Sequence, residues 1–254
     1  IGAWNGVLAA ALRRRLPGLW VHCAVLAAAF GAIASARQFD GPAKPVGWAV
    51  IASGLLWLGL VDSSRWLRLW GGVLLSLAVL QLVALLFPRA AVAQPVLFNP
   101  RALAALFVAA LMFALARAYR RAPHADTAAR QLRAGLIVAA NVLALAVITA
   151  EIRDFWAAQS PGRSGYLAMQ VMISLAWAIY AVVLIVIGMR RRYAPVRYLA
   201  MAVFGVTIPK VLLLDLAELE QAYRVASAIG LGVLLLIASF LYQRYRANLS
   251  EEER

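Results

Sequence analysis

Long apolar runs separated by short polar stretches make up almost the whole chain. A helix needs about 20 mostly apolar residues to cross a bilayer, and eight runs approach or exceed that length. They fall at residues 17–36, 46–61, 69–87, 102–117, 132–150, 166–189, 196–214 and 223–242. No strand-like alternation and no internal repeat is evident. The pattern predicts an all-α fold, a polytopic transmembrane bundle of about eight spans.

Two of the predicted spans are irregular. The run 46–61 is short for a bilayer, so it must recruit flanking residues. The run 196–214 contains Pro209 and Lys210, and a proline inside a helix removes a backbone hydrogen bond. We expect the seventh span to be kinked or broken near its outer end.

The predicted domain organisation places one transmembrane domain at 17–246 and a cytoplasmic tail at 247–254. Residues 1–12 are apolar and are followed by three arginines, a pattern typical of the end of a preceding span. We therefore expect 1–16 to be the end of a truncated span with a basic cytoplasmic segment. Further spans of the same longer protein are the expected neighbours.

Composition supports lipid as the solvent for much of the surface. The chain is 64% hydrophobic and 14% charged, whereas soluble domains average about 45–50% apolar and about 25% charged residues. A single buried core does not account for this excess, because a globule of this length still needs a polar shell.

Positive charge gives the predicted orientation. The net charge is +14, and most of the basic residues fall in alternate loops, at 13–15, 65–68, 117–133, 190–197 and 244–254. Basic loops stay in the cytoplasm, which predicts a multi-pass protein of a bacterial inner membrane with both ends of this chain inside. The same arginine clusters predict contact with anionic lipid head groups, and no nucleic-acid partner is expected.

Few residues are suited to metal or cofactor chemistry. His22 and His124 lie far apart, and Cys23 is the one cysteine. No cluster has metal-ligand spacing, and no nucleophile–base pair or glycine-rich phosphate loop is present. We expect no metal, no cofactor and no catalytic residues.

Ionisable residues collect near the predicted outer face of the last spans. Glu151 and Asp154 are three residues apart and share one face of a continuing helix. A lysine inside a span needs a partner or water. The candidate outer-face cluster consists of Glu151, Arg153, Asp154, Lys210, Asp215, Glu218 and Arg224. It is interpreted either as an ion-pair network that fixes how the spans meet, which is favoured, or as a pocket for a substrate head group or a proton.

Other polar and small residues in the spans predict packing. Ser76, Gln81, Asn141, Gln170, Ser174 and Thr207 are expected to bond neighbouring helices. The last span carries two overlapping small-xxx-small pairs, which permit close helix approach. These helix-packing residues are Ala226, Ala228, Gly230 and Gly232.

The C-terminal half resembles a known family in three successive stretches. They are NVLALAVITAEIRDFW (141–156), QVMISLAWAIYAVVLIVIGMRRR (170–192) and KVLLLDLAELEQAYRVASAIGLGVLLLIASFLYQRYR (210–246). Their order is similar to that of the bacterial predicted-membrane-protein family called domain of unknown function 2339. The resemblance covers about 46–246 and implies a multi-span membrane protein without an activity that can be carried over.

Three functions remain open from the sequence. The first is a non-enzymatic module of a larger envelope assembly, which scaffolds or handles an envelope component. The second is a transporter or lipid flippase-like protein with an outward-facing polar site. The third is a lipid-modifying enzyme that uses Glu151 or Asp154 as a base.

Overall fold

The computed structural model describes residues 19–88, 99–121, 126–159, 162–211, 229–240 and 242. In these ranges the chain is helical between short connections. The helices are α1 (Leu19–Gln38), α2 (Ala43–Val61), α3 (Arg65–Leu86), α4 (Pro100–Arg121), α5 (Thr127–Gln159), α6 (Arg163–Arg190), α7 (Ala194–Lys210) and α8 (Ile229–Phe240).

Each predicted span overlaps one of these helices, which confirms the all-α fold. Helices α1 to α6 are long and apolar enough to cross a membrane. The short second span does recruit flanking residues, because α2 begins at Ala43. Helix α7 continues through Pro209 to Lys210, and Val211 is the last residue described before Ile229.

Two compact units divide the chain. One holds α1 to α4 and the start of α5 up to Val147, and the other holds the rest of α5 from Ile148 with α6, α7 and α8. Large apolar side chains on both units remain exposed, among them Leu80 at 67% and Leu236 at 71%. Apolar side chains facing outward are expected where lipid is the solvent.

Helix α2 forms the centre of the first unit and packs against α1, α3 and α4. Its buried face is built from small and branched residues, including Ala49, Ala52 and Leu56, each fully buried. A Cβ on Gly71 would lie 2.9 Å from Leu56 Cγ, so this glycine allows α3 to approach α2. The Tyr119 hydroxyl of α4 donates to the Leu56 carbonyl at 2.7 Å.

The turn between α2 and α3 combines a close helix contact at a glycine with a residue in the left-handed conformation. A Cβ on Gly59 would lie 2.8 Å from Arg68 Cγ and 3.0 Å from the Arg68 backbone nitrogen. Ser63 takes a positive φ of 52°, the left-handed conformation that often ends a helix. The glycine lets the two helices meet, and the left-handed residue reverses the chain.

The turn between α6 and α7 has the same two features 129 residues later. A Cβ on Gly188 would lie 2.8 Å from Arg197 Cγ and 3.1 Å from its backbone nitrogen. Arg192 has a φ of 48°, and the Tyr193 amide donates to the Gly188 carbonyl at 2.9 Å. We call the pair α2 and α3 the first hairpin, and the pair α6 and α7 the second. Both hairpins share a Gly-x8-Arg pattern with a left-handed residue four positions after the glycine.

Residues that lie 129 positions apart in the two hairpins are buried to a similar extent. Ala52 and Ala181 are fully buried, and so are Ala78 and Thr207. Trp48 and Trp177 also correspond, and each indole nitrogen donates a hydrogen bond, to the Ala32 carbonyl at 2.9 Å and to Thr149 Oγ1 at 2.8 Å. No repeat is evident from the hydropathy pattern, but the structure shows one in these hairpins.

Candidate functional site

The predicted outer-face cluster is partly described. Glu151, Arg153 and Asp154 lie near the end of α5, and Lys210 is the last residue of α7. The remaining members, Asp215, Glu218 and Arg224, lie outside the described residues, as do Ala226 and Ala228. Gly230 and Gly232 lie on α8, where an added Cβ would meet no described atom within 4 Å. The packing role of these small residues stays a prediction.

Glu151 and Asp154 extend the buried face of α5. That face carries Leu143, Val147 and Ala150, which are at most 2% exposed. Glu151 is 9% exposed, and the Oδ1 atom of Asp154 is buried. The helix continues to Gln159, nine residues beyond the predicted end of this span, so both carboxyl groups project from regular helix.

Lys210 bonds to α6. Its Nζ donates to Ser174 Oγ at 2.7 Å and to the Gln170 carbonyl at 3.4 Å. Ser174 is 5% exposed, so the contact with its hydroxyl is protected from bulk water. A short hydrogen bond from a cation inside an apolar bundle satisfies the requirement that such a charge be partnered.

The same face of α6 also contacts α5. Gln170, Ser174 and Trp177 follow the i, i+4, i+7 spacing of one helix face. Trp177 Nε1 donates to Thr149 Oγ1 at 2.8 Å. One face of α6 is therefore hydrogen-bonded both to α5 and to α7.

Two of the predicted inter-helix bonds are not found among the described residues. Ser76 Oγ donates to the Gly72 carbonyl at 2.9 Å and Thr207 Oγ1 to the Val203 carbonyl at 2.7 Å. Both are bonds to the residue four positions back in the same helix, a usual choice for hydroxyls within helices. For these two residues the prediction of bonds to neighbouring helices is wrong.

Gln81 occupies the position in the first hairpin that corresponds to Lys210 in the second. Its Oε1 atom is buried and has no hydrogen-bond partner among the described residues. The residues that correspond to Gln170 and Ser174 are Gly41 and Pro45, and proline has no side-chain donor. Both hairpins thus carry a polar residue at this position, but only the second has a serine hydroxyl, that of Ser174, to bond it.

A second polar site lies in the first unit and was not predicted. Arg68 Nη1 and Nη2 donate to Asp126 Oδ1 and Oδ2 at 2.7 and 3.0 Å, a bidentate ion pair. Nη2 also donates to the Ser63 carbonyl at 3.0 Å. Arg68 is 9% exposed, whereas the Asp126 side chain is 53% exposed.

Asp126 also begins α5. Its Oδ1 accepts a hydrogen bond from the Ala129 amide at 2.7 Å, which is the geometry of a helix N-cap. The hydrogen bonds from Arg68 and from this amide hold the pKa of the Asp126 carboxyl below its ordinary value. The sequence did carry a signal, since Asp126 is the one carboxylate in the basic segment 117–133 and directly precedes a helical run.

The described residues define a class of protein. Six membrane-length apolar helices and polar contacts that join neighbouring helices are the features of a multi-pass helical membrane protein. Lys210, Arg68 and Asp126 each make side-chain hydrogen bonds in these contacts. Within the described ranges, no three histidine, cysteine or acidic residues converge as a metal site would require.

Comparison with known proteins gives the family. The family model described as Predicted membrane protein (DUF2339) matches residues 73–245, more than half of the chain. The chain therefore belongs to this family, which confirms the resemblance. The match begins later than residue 46, so it includes Glu151, Lys210 and Asp126 but not Arg68. No curated protein and no solved structure matches the chain.

Proposed function

We propose that this chain is a non-enzymatic module of a larger bacterial envelope assembly, held in the inner membrane with both of its ends in the cytoplasm. The observation that carries the proposal is the contact between Lys210 and Ser174, because it supports a role for the lysine in helix packing. The inner-membrane location and the cytoplasmic position of both ends are inferred from the distribution of basic residues.

A lysine buried in a helical bundle requires hydrogen-bond partners for its ammonium group. An ammonium group has three donors and no acceptor, and two of its hydrogen bonds go to α6. Both of these bonds join the end of α7 to α6. Holding α7 against α6 is therefore the role that this geometry supports.

The test compares the chain's two lysines. Lys210→Met removes the hydrogen bonds from the ammonium group to α6, so we expect a lower unfolding temperature in detergent. A hydrogen bond to a charged group contributes about 1.5–3 kcal/mol to stability. Lys44→Met is the matched control, because Lys44 lies at the start of α2 and makes no ion pair or hydrogen bond with a described residue. Ser174→Ala in each background measures the coupling.

Equal unfolding temperatures for Lys210→Met and Lys44→Met would contradict the packing role. Native mass spectrometry of the full-length protein, extracted gently with its own lipids, tests the rest of the proposal. A discrete small molecule that is lost on Lys210→Met would show that the lysine serves a ligand site, and the structural role would be wrong.

One observation favours a transporter as the second candidate. Many transporters are built from internal repeats and bind substrate at broken helices near mid-membrane, and the repeated hairpins are such a repeat. The proline of the second hairpin has no counterpart in the first, however. Helix α3 runs unbroken through the corresponding Leu80 and Gln81 to Leu86. Paired broken helices are therefore missing from the described part of the chain, which places the transporter second.

A further inference from the structure

An open groove of about 660 Å³ runs along α3 beside the first turns of α5. Its walls are apolar side chains that face outward, with Leu69, Val73, Leu77 and Leu80 each at least 43% exposed. Gly72 of α3 leaves space in the floor of the groove because it has no side chain, and a Cβ there would meet no described atom within 4 Å. The volume is in the range of about 300–1,000 Å³ that small ligands occupy.

The groove is as long as one leaflet of a bilayer is deep. Arg65 and Leu80 mark its ends on α3, and 15 residues of helix extend about 22 Å. A bilayer with its head groups is about 40–45 Å thick, so one leaflet measures about half of that. A single phospholipid, from phosphate to chain end, fits this length.

Among the described residues that line the groove, the charged ones lie at one end. Arg65 lies there, exposed, with its guanidinium carbon 5.7 Å from the Trp66 ring centroid. It makes no ion pair with a described residue, whereas neighbouring Arg68 is engaged by Asp126. Gln131 of α5 adds an exposed amide to the same groove. An unpaired arginine and an exposed tryptophan at a predicted inner interface suit a phosphate head group.

We propose that this groove binds one anionic phospholipid of the inner leaflet, with its phosphate on Arg65 and one acyl chain along Gly72 and Ser76. Charge complementarity at one end and the match in length select this occupant. Arg68, already paired, holds α3 and the start of α5 together and so maintains the groove.

The experiment counts retained lipids on the full chain by native mass spectrometry. Nanodiscs contain phosphatidylglycerol or phosphatidylcholine with identical acyl chains. We expect Arg65→Gln to weaken retention of phosphatidylglycerol about fivefold, the factor that corresponds to about 1 kcal/mol per basic residue near the membrane surface. Retention of phosphatidylcholine should weaken less, because its choline cation offsets the phosphate charge. Gly72→Leu fills the groove and should remove the retained lipid of either class.

Matched controls separate this site from general charge and size effects. Arg37→Gln removes an exposed arginine in the last turn of α1, which neither lines the groove nor belongs to the arginine clusters predicted to contact lipid head groups. Gly54→Leu adds the same side chain on an exposed position of α2, where an added Cβ also meets no described atom. Neither control should change the number of retained lipids, and unfolding curves verify that every variant is folded.

Three outcomes would overturn the proposal. They are unchanged retention in Gly72→Leu, equal losses in Arg65→Gln and Arg37→Gln, and a protein helix rather than a lipid found cross-linked in the groove. The result is independent of the proposed function. A lipid lost with Gly72→Leu supports the groove, whereas a ligand lost with Lys210→Met contradicts the packing role of Lys210.

Discussion

Arg68 shows how one side chain can organise an end of a helical bundle. Its guanidinium reaches Asp126, 58 residues further along the chain, and the backbone carbonyls of Ser63 and Ser64. A buried guanidinium without its counter-ion is costly. The pair therefore fixes the start of α5 against the hairpin of α2 and α3.

Removing the carboxylate tests this pair. We expect Asp126→Asn to lower the unfolding temperature at neutral pH, because Arg68 stays buried with a neutral partner and the helix keeps a weaker N-cap. Asp40→Asn is the control, since Asp40 is exposed and precedes α2. Equal unfolding temperatures for the two variants would show that the ion pair contributes nothing measurable.

The lowered pKa of Asp126 gives the pH dependence. An aspartate titrates at about 3.9 in an unfolded chain, and its folded value here is lower. The stabilisation is then fully present above about pH 4 and is lost as the pH falls through the folded pKa. Unfolding temperatures measured against pH should therefore show a constant gap between wild type and Asp126→Asn from pH 5 to 8. That gap should close in more acidic buffer.

At the scale of the helices, the two Gly-x8-Arg hairpins make a common prediction. Gly188→Ala places a methyl group against the Arg197 backbone, and overpacking of this kind costs about 1–3 kcal/mol. Gly205→Ala is the control on α7, where an added Cβ meets no described atom. Alanine there should be neutral or stabilising, because glycine is the weaker helix former.

Gly59→Ala should behave as Gly188→Ala does, with Gly54→Ala as its control on the same helix. The measurement is thermal unfolding of all four variants in one detergent. If alanine is tolerated at Gly59 or Gly188 as well as at its control, close helix approach is not what the glycine provides.

The sequence predicts the spans well and their ends less well. Hydropathy locates all eight helices, yet α3 begins at Arg65, four residues before the predicted apolar run, because arginine stems pack along apolar surface. Helix α5 likewise continues past Glu151. The Arg68–Asp126 pair could not be predicted, since hydropathy does not say which helices touch. The Gly-x8-Arg recurrence was readable in the sequence, but only by comparing turns rather than spans.

For the molecule as a whole, the basic loops predict one orientation. In a Cys23→Ser background, single cysteines at Ser63 and Arg191 should react with a membrane-impermeant maleimide only when the cytoplasmic face is open. Cysteines at Asp40 and Gln159 should react from outside, in intact spheroplasts. Labelling of the Arg191→Cys variant from outside would reverse the second unit and remove the support that charge gives to the proposed topology.

The repeated turns set a rule for how such a chain can grow. Four crossing helices, α3 to α6, separate the turn at 62–64 from the turn at 191–193. An even number of crossings returns the chain to the side from which it started. Copying this interval would therefore add four spans without turning any later loop to the opposite side, where its arginines would oppose insertion. An architecture of this kind can lengthen by whole intervals while every later loop keeps its compartment.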